Sequence, residues 1–197
     1  MLLGVLFVCA GYLLGSVSSA ILVCRMWGVA DPRDVGSRNP GATNVLRHAG
    51  KSAAALTLLG DAAKGLVPVM LAGASGVAPA WVMASGVAAF LGHLYPLYYG
   101  FSGGKGVATF IGVTLGFDYR LGLCFIAVWL LVALISRYSS LAALVATAAM
   151  PIATFALGHG LAPTALLCAM CAGVLWRHRG NMRALRDGSE KRIGQKN

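Results

Sequence analysis

From Leu2 to Cys24 the chain carries no charged side chain, and a run of that length crosses a hydrocarbon core of about 30 Å as a helix. Further apolar runs follow near 53–73, 78–99, 107–117, 120–136, 141–157 and 163–176. Inside lipid a helix satisfies its own backbone polar groups, so the pattern predicts an all-α integral membrane protein, a seven-span helical bundle in which some spans are short. With 58% hydrophobic and 11% charged residues in 197, the chain has room for one polytopic membrane domain, 1–197, and is too apolar for a soluble one. Arg25 follows the first run instead of preceding it, which points to a retained span and not a cleaved signal peptide.

The net charge of +10 raises nucleic acid as a partner, but the basic residues are scattered between apolar runs with no aromatic-interleaved surface, so none is expected. Topology explains the charge better. Fusing the fourth and fifth runs through Asp118, Tyr119 and Arg120 would invert everything downstream and put the seven basic residues of RHRGNMRALRDGSEKRIGQKN outside. With seven spans and the N-terminus outside, Arg120 is the one Lys or Arg that faces out, and the C-terminus is cytoplasmic. The polar segments 25–51, 100–106, 137–140 and the tail then share the cytoplasmic face. The five cysteines lie within apolar runs, and the Cys168-x-x-Cys171 pair reads as packing. Gly11-x-x-x-Gly15 and Gly112-x-x-x-Gly116 fit close helix contact, a spacing that 26 glycines also produce by chance.

In the 25–51 loop, Asn39-Pro40-Gly41-Ala42 suits a type II turn, with Thr43 or Asn44 capping a short helix that Gly50 ends. A helix start of this kind exposes amides to which an anion can bind, and Arg38, Arg47 and Lys51 add charge. The same residues also describe an ordinary capped surface helix. FSGGKGVAT (101–109) repeats the theme. It is not a nucleotide P-loop, since the first glycine of that pattern would fall at Tyr99 and Gly106 replaces the magnesium-holding hydroxyl. Glycines let amides approach an oxyanion and a lysine supplies a point charge, so a phosphate without a metal fits, as does a plain inter-helix turn. The run after it, Val107 to Phe117, spans only roughly 16 Å, so either the bilayer thins or the glycine loop dips inward.

Asp61 and Lys64 lie three apart inside an apolar run and pair on one helix face, with structural and functional roles equally open. His93 and His159 read as packing or interfacial residues. His178 follows the last span and suits a base or hydrogen-bond donor, or an interfacial histidine among arginines.

Three segments, GSRNPGATNVLR (36–47), FSGGKGVAT (101–109) and RHRGNMRALRDGSE (177–190), occur in the order and between the apolar runs of one family. On them the sequence resembles the bacterial acyl-phosphate:glycerol-3-phosphate acyltransferases (the PlsY family), and the likeness extends to Gly15-Ser16 and Asp61-Ala62-Ala63-Lys64-Gly65. Ser18 stands where that family prefers proline and Arg38 where glycine is common. The resemblance implies transfer of a fatty acyl group from acyl phosphate to the 1-hydroxyl of sn-glycerol 3-phosphate, giving lysophosphatidic acid and phosphate for phospholipid synthesis. It implies a multi-pass protein of the bacterial cytoplasmic (inner) membrane among membrane lipids, with the donor arriving from the bilayer, the acceptor from the cytosol, and no cofactor or metal.

The family pattern carries over residue by residue. Ser37 and Arg47 would hold phosphate. Lys105 with Gly103, Gly104 and Gly106 would bind a phosphate, that of glycerol 3-phosphate by preference. His178 and Asn181 would orient the acceptor, and Glu190 would brace the tail. Asn39, Thr43, Asn44 and Ser139 are further substrate-binding candidates, with Asp61 and Lys64 as structural support. An anion or phosphate-ester transporter would use the same loops, but it should show paired halves and polar residues on both faces. An alcohol phosphotransferase needs an aspartate cluster that six scattered acidic residues do not make. The soluble-type acyltransferases need a His and Asp five apart, and no histidine here has one.

Overall fold

The computed structural model describes residues 1–195, and each of the seven apolar runs is helical in it. The first run divides into α1 (Leu2–Gly15) and α2 (Ser19–Met26), bent by 41°. Ser18 makes the break. Its backbone is extended (φ −92°, ψ 102°), and its Oγ accepts from the Ile21 amide at 3.4 Å as the N-cap of α2.

α3 (Ala42–Ala74) is interrupted at Gly50, whose φ of 84° and ψ of −178° leave the helical region, so a short helix over 42–49 precedes the long one. Gly50 ends the short helix as its sequence predicts, but the start differs from expectation. Gly41 is the N-cap, without a side-chain cap bond, and neither Thr43 nor Asn44 takes that place. The type II turn over Asn39–Ala42 is also absent, because Gly41 has φ −145° where such a turn requires a positive value. Its amide instead bonds to the Asn39 carbonyl at 2.9 Å, a three-residue turn about Pro40. The left-handed residues come earlier, at Gly36 (φ 58°) and Arg38 (φ 54°). That conformation costs a residue with a Cβ roughly 1–2 kcal/mol and glycine nothing, a physical reason for glycine at position 38 in the family this sequence resembles.

The helices cluster in two compact units, Met1–Phe117 and the chain from Asp118 on. In the first, α4 (Pro79–Leu94) packs on α1 and α3, and α5 (Val107–Phe117) packs on α3. Gly11 and Gly15 of α1 lie against the Ser85 and Ala89 carbonyls of α4, and Gly112 of α5 lies against the Ala62 carbonyl of α3, leaving no room for a methyl. The four-residue glycine spacings are therefore real contact seams. A small core of Ala20, Val23 and Cys24 on α2 with Val45, Ala53 and Ala54 on α3 seats the short 42–49 helix. At the other end of this unit, Gly4 sits against the Trp81 ring.

In the second unit, α7 (Ser139–Ala156) packs on both α6 (Tyr119–Ser136) and α8 (Leu161–Arg177), and α9 (Arg179–Arg186) turns 57° away from α8. Asp118 is extended (φ −150°, ψ 113°) and N-caps α6 through its bond from the Arg120 amide at 2.9 Å, so the fourth and fifth runs are separate helices. Leu121, Phe125, Ala146, Met150, Leu167 and Met170 fill the core. Cys171 is buried with its thiol on the Thr147 carbonyl, in keeping with packing, while Cys168 is exposed and in no disulfide. Among the described residues, four helical stretches suffice by length and composition to cross a membrane, and six do when each bent pair counts as one; α5 is the short apolar helix that remains.

Candidate active site

The first motif is shaped by a buried asparagine. Asn44, 1% exposed, donates from Nδ2 to the Pro32 and Val35 carbonyls at 2.8 and 3.1 Å and accepts from the Ser37 amide at 3.1 Å. One side chain satisfies three backbone groups of the 32–37 segment. Asn44, expected among the substrate contacts, thus has both amide hydrogens engaged in holding the loop. Ser37 and Thr43 are exposed, while Asn39 and Arg47 are half-buried. Thr43 and Arg47, four apart, share a helix face opposite Val45 and Ala49, which pack inward. Arg33 pairs with Asp31 at 2.8 Å and lies over the Tyr99 ring at 5.7 Å, joining this loop to the next. Its hydrogen bond holds the Asp31 carboxyl below the usual range.

The second motif folds back along the last turn of α4. The Gly104 amide donates to the His93 carbonyl at 3.2 Å. A Cβ on Gly103 would strike the His93 and Leu94 carbonyls, and one on Gly104 would overlap the His93 ring and come 3.2 Å from the Pro40 carbonyl. Gly106 has φ 86°, with Phe90 and Leu94 where a Cβ would go. The glycines therefore serve a close fit within the protein as well as any approach to an anion. The loop lies against the end of α4. Phe110 N bonds to Gly106 O at 2.7 Å, so the amides of Val107, Ala108 and Thr109 stand ahead of the first intrahelical bond. Lys105, half-buried, stands two residues before the first of them. The contact of Gly104 with Pro40 brings the first two motifs to one end of this unit.

Behind this loop lies a buried charge cluster. Lys64 Nζ is 2.9 Å from Asp61 Oδ1 and donates to the Val17 carbonyl at 2.6 Å, and His93 Nδ1 is 3.7 Å from the same carboxylate oxygen. The three side chains are at most 6% exposed. The helical pairing expected of Asp61 and Lys64 is present, but His93 is no mere packing residue. What the sequence conceals is that position 93 on α4 faces position 61 on α3.

In the second unit, His178 is 3% exposed, and its Nδ1 lies 2.9 Å from the Val174 carbonyl. A carbonyl only accepts, so Nδ1 carries the proton and the lone pair of the neutral ring is on Nε2. Asn181 donates from Nδ2 to both Glu190 oxygens at 2.8 and 3.0 Å, and Ser140 Oγ donates to Glu190 Oε1 at 2.7 Å. Glu190 thereby links the tail to α7 and α9, and by orienting the Asn181 amide it turns Oδ1 to the opposite side. Ser140 was not singled out by sequence. Ser139, the candidate named, opens α7, and nothing but helix register separates the two hydroxyls. The tail is further joined to the α6–α7 turn by the Ile193 amide on the Arg137 carbonyl at 2.6 Å and by Arg192 on Tyr138. His159, read as a packing or interfacial residue, bonds through Nε2 to Asp118 Oδ2 at 2.7 Å at the other end of the unit. Among the described residues no three His, Cys, Asp or Glu side chains gather as a metal site requires.

Residues 5–188 match the family model described as Glycerol-3-phosphate acyltransferase. The chain is 54% identical to the glycerol-3-phosphate acyltransferase of Thioalkalivibrio sulfidiphilus over 100% of its own length and 97% of that protein's. It is 51% identical to that of Methylococcus capsulatus, covering 94% and 93%. Among solved structures it is similar to PlsY (YgiH), an integral membrane glycerol 3-phosphate acyltransferase, in its glycerol 3-phosphate form. There the TM-score is 0.92 at 36% identity, covering 97% of this chain and 96% of that one. The lysophosphatidic acid form gives 0.90 at 35%, covering 97% and 95%.

Proposed function

This chain belongs to the glycerol-3-phosphate acyltransferase family, and from that premise we propose that it moves a fatty acyl group from acyl phosphate to the 1-hydroxyl of sn-glycerol 3-phosphate. The hydroxyl oxygen attacks the acyl carbon of the mixed anhydride, the bond from that carbon to the phosphate oxygen breaks, and lysophosphatidic acid and inorganic phosphate leave. The hydroxyl proton passes to one of two bases, Nε2 of His178 or the departing phosphate. An anhydride is already activated, so the protein's task is charge neutralisation and orientation, with no covalent nucleophile required.

In this reading Lys105 and the α5 amides bind the acceptor's phosphate, Ser37 and Arg47 hold phosphate from the first motif, and His178 and Asn181 orient the hydroxyl. Asn39, Thr43 and Ser139 line the approach. In this reading 1–197 is one functional domain. The N-terminus lies outside the cytoplasmic membrane and the three motifs lie at its cytoplasmic face, where a lipid donor comes from the bilayer and a soluble acceptor from the cytosol. The observation that carries the proposal is the meeting of two cation-bearing motifs at Gly104 and Pro40 beside an open helix start.

The test is purified protein with glycerol 3-phosphate and either acyl phosphate or acyl thioester. Acyl phosphate alone should support turnover. Lys105→Ala should raise KM for glycerol 3-phosphate about ten- to a hundred-fold, the equivalent of a charge-assisted contact of about 1.5–3 kcal/mol. Equal rates with the thioester would sink the donor assignment, and an unchanged KM would sink that of Lys105.

A further inference from the structure

His93 is approached from two sides. Its carbonyl accepts the Gly104 amide at 3.2 Å, and its ring lies so close to the Gly104 Cα that a Cβ there would overlap Nε2 and Cε1. On the far side, its Nδ1 is 3.7 Å from Asp61, which Lys64 holds at 2.9 Å while bonded to the Val17 carbonyl. A loop that only needed covering would be held as well by an aliphatic side chain. Three ionisable groups desolvated within apolar helices are a costly way to make a floor. What they add over an aliphatic side chain is direction. The carboxylate stands on the Nδ1 side of the ring at 3.7 Å, so the ring plane is set by electrostatics as well as by shape.

Resting on the reading of Lys105 as a phosphate ligand, we infer that His93 is a positioning residue for the acceptor's phosphate. It fixes the main chain at Gly104, one residue before Lys105, and through it the direction in which Lys105 and the first amides of α5 point. It acts on the loop and does not touch the substrate.

The test is a kinetic double-mutant cycle on the full chain in detergent, with thermal unfolding run alongside. His93→Ala should raise KM for glycerol 3-phosphate about tenfold while kcat and the KM for acyl phosphate stay within about twofold. His93→Gln, which keeps a polar nitrogen near the Nε2 position, should recover part of that loss. Combined with Lys105→Ala, either variant should add little to the effect of Lys105→Ala alone, because both act through one contact. The Gln variant runs through the same cycle, so the test stands even where the Ala variant does not fold. Effects that multiply, or a loss confined to kcat, would overturn the role of His93 and leave the phosphate assignment intact. An unchanged KM in Lys105→Ala would overturn both.

Discussion

The Asp61–Lys64 pair allows a prediction whose size follows from its geometry. At 2.9 Å and an effective dielectric of about 20, the attraction is about 6 kcal/mol. Removing each ion from water costs several kcal/mol, so the intact pair contributes close to nothing net. Breaking it is another matter. Lys64→Met leaves the carboxylate with only His93 at 3.7 Å, and Asp61→Asn leaves the ammonium with only the Val17 carbonyl. Each single change should destabilise by about 3–5 kcal/mol, equivalent to roughly 6–20 °C in Tm for a chain of this size. Asp61→Asn with Lys64→Met removes both charges at similar volume and should cost no more than about 1.5 kcal/mol. Thermal unfolding of the three proteins in one detergent reads this directly. Singles that unfold with the parent, or a double as weak as the worse single, would refute the reasoning. The double also separates stability from positioning, since a folded protein without the carboxylate behind His93 should still bind glycerol 3-phosphate less well.

Asn44→Ala removes three backbone contacts of roughly 1 kcal/mol each and should lower stability by about 2–3 kcal/mol while raising KM for glycerol 3-phosphate, as unfolding and steady-state kinetics would show. Asp118→Ala removes the α6 cap and the contact with His159 and should cost about 1–2 kcal/mol with kcat unaltered. The Arg120 hydrogen bond holds the Asp118 carboxyl below the ordinary range. Its contribution is therefore complete above about pH 4 and lost as pH falls through the lowered folded value, so the Tm difference between parent and Asp118→Ala should be flat near neutrality and shrink in acid. Glu190→Ala releases the Asn181 amide and should reduce kcat/KM about ten- to a hundred-fold with a much smaller change in Tm; Ser140→Ala, which leaves both Asn181 bonds in place, should cost less.

Apolar runs and breakers made the helices legible, because lipid permits so few backbone solutions. The stop at Gly50, the break at Asp118 and the pairing of Asp61 with Lys64 follow from local rules that operate within one helix or turn. The failures share a cause of the opposite kind. Asn44 looked like a cap or a ligand because its sequence neighbours are a turn and two basic residues, whereas its partners are carbonyls up to twelve residues back. His93 looked inert because Asp61 is on another helix and Gly104 beyond a loop. Ser140 was hidden behind Ser139 by a register that only the fold of the tail decides. The glycines of the second motif were legible as a need for space but not as to what fills it.

The three motifs differ in chemistry, yet each is backed by polar groups of the protein itself: the Asn44 side chain behind Ser37, the carbonyl and ring of His93 behind Gly104, the Glu190 carboxylate behind Asn181. A loop at the end of a helical bundle has little apolar surface to bury, so its shape has to come from hydrogen bonds, which also satisfy its backbone. A donor that is already an anhydride adds a second reason. The remaining barrier lies in bringing two anions and a hydroxyl together in one geometry, and groups fixed before the ligands arrive need no reorganisation at that moment. On the roles proposed above, losing a strut should therefore weaken substrate binding without removing any group that touches substrate, whereas losing Lys105 or Arg47 should remove the contact itself. A conservative polar replacement should restore a strut in part, but Lys105→Arg should do so poorly, because a planar fork does not reproduce a compact ammonium in a loop this closely packed.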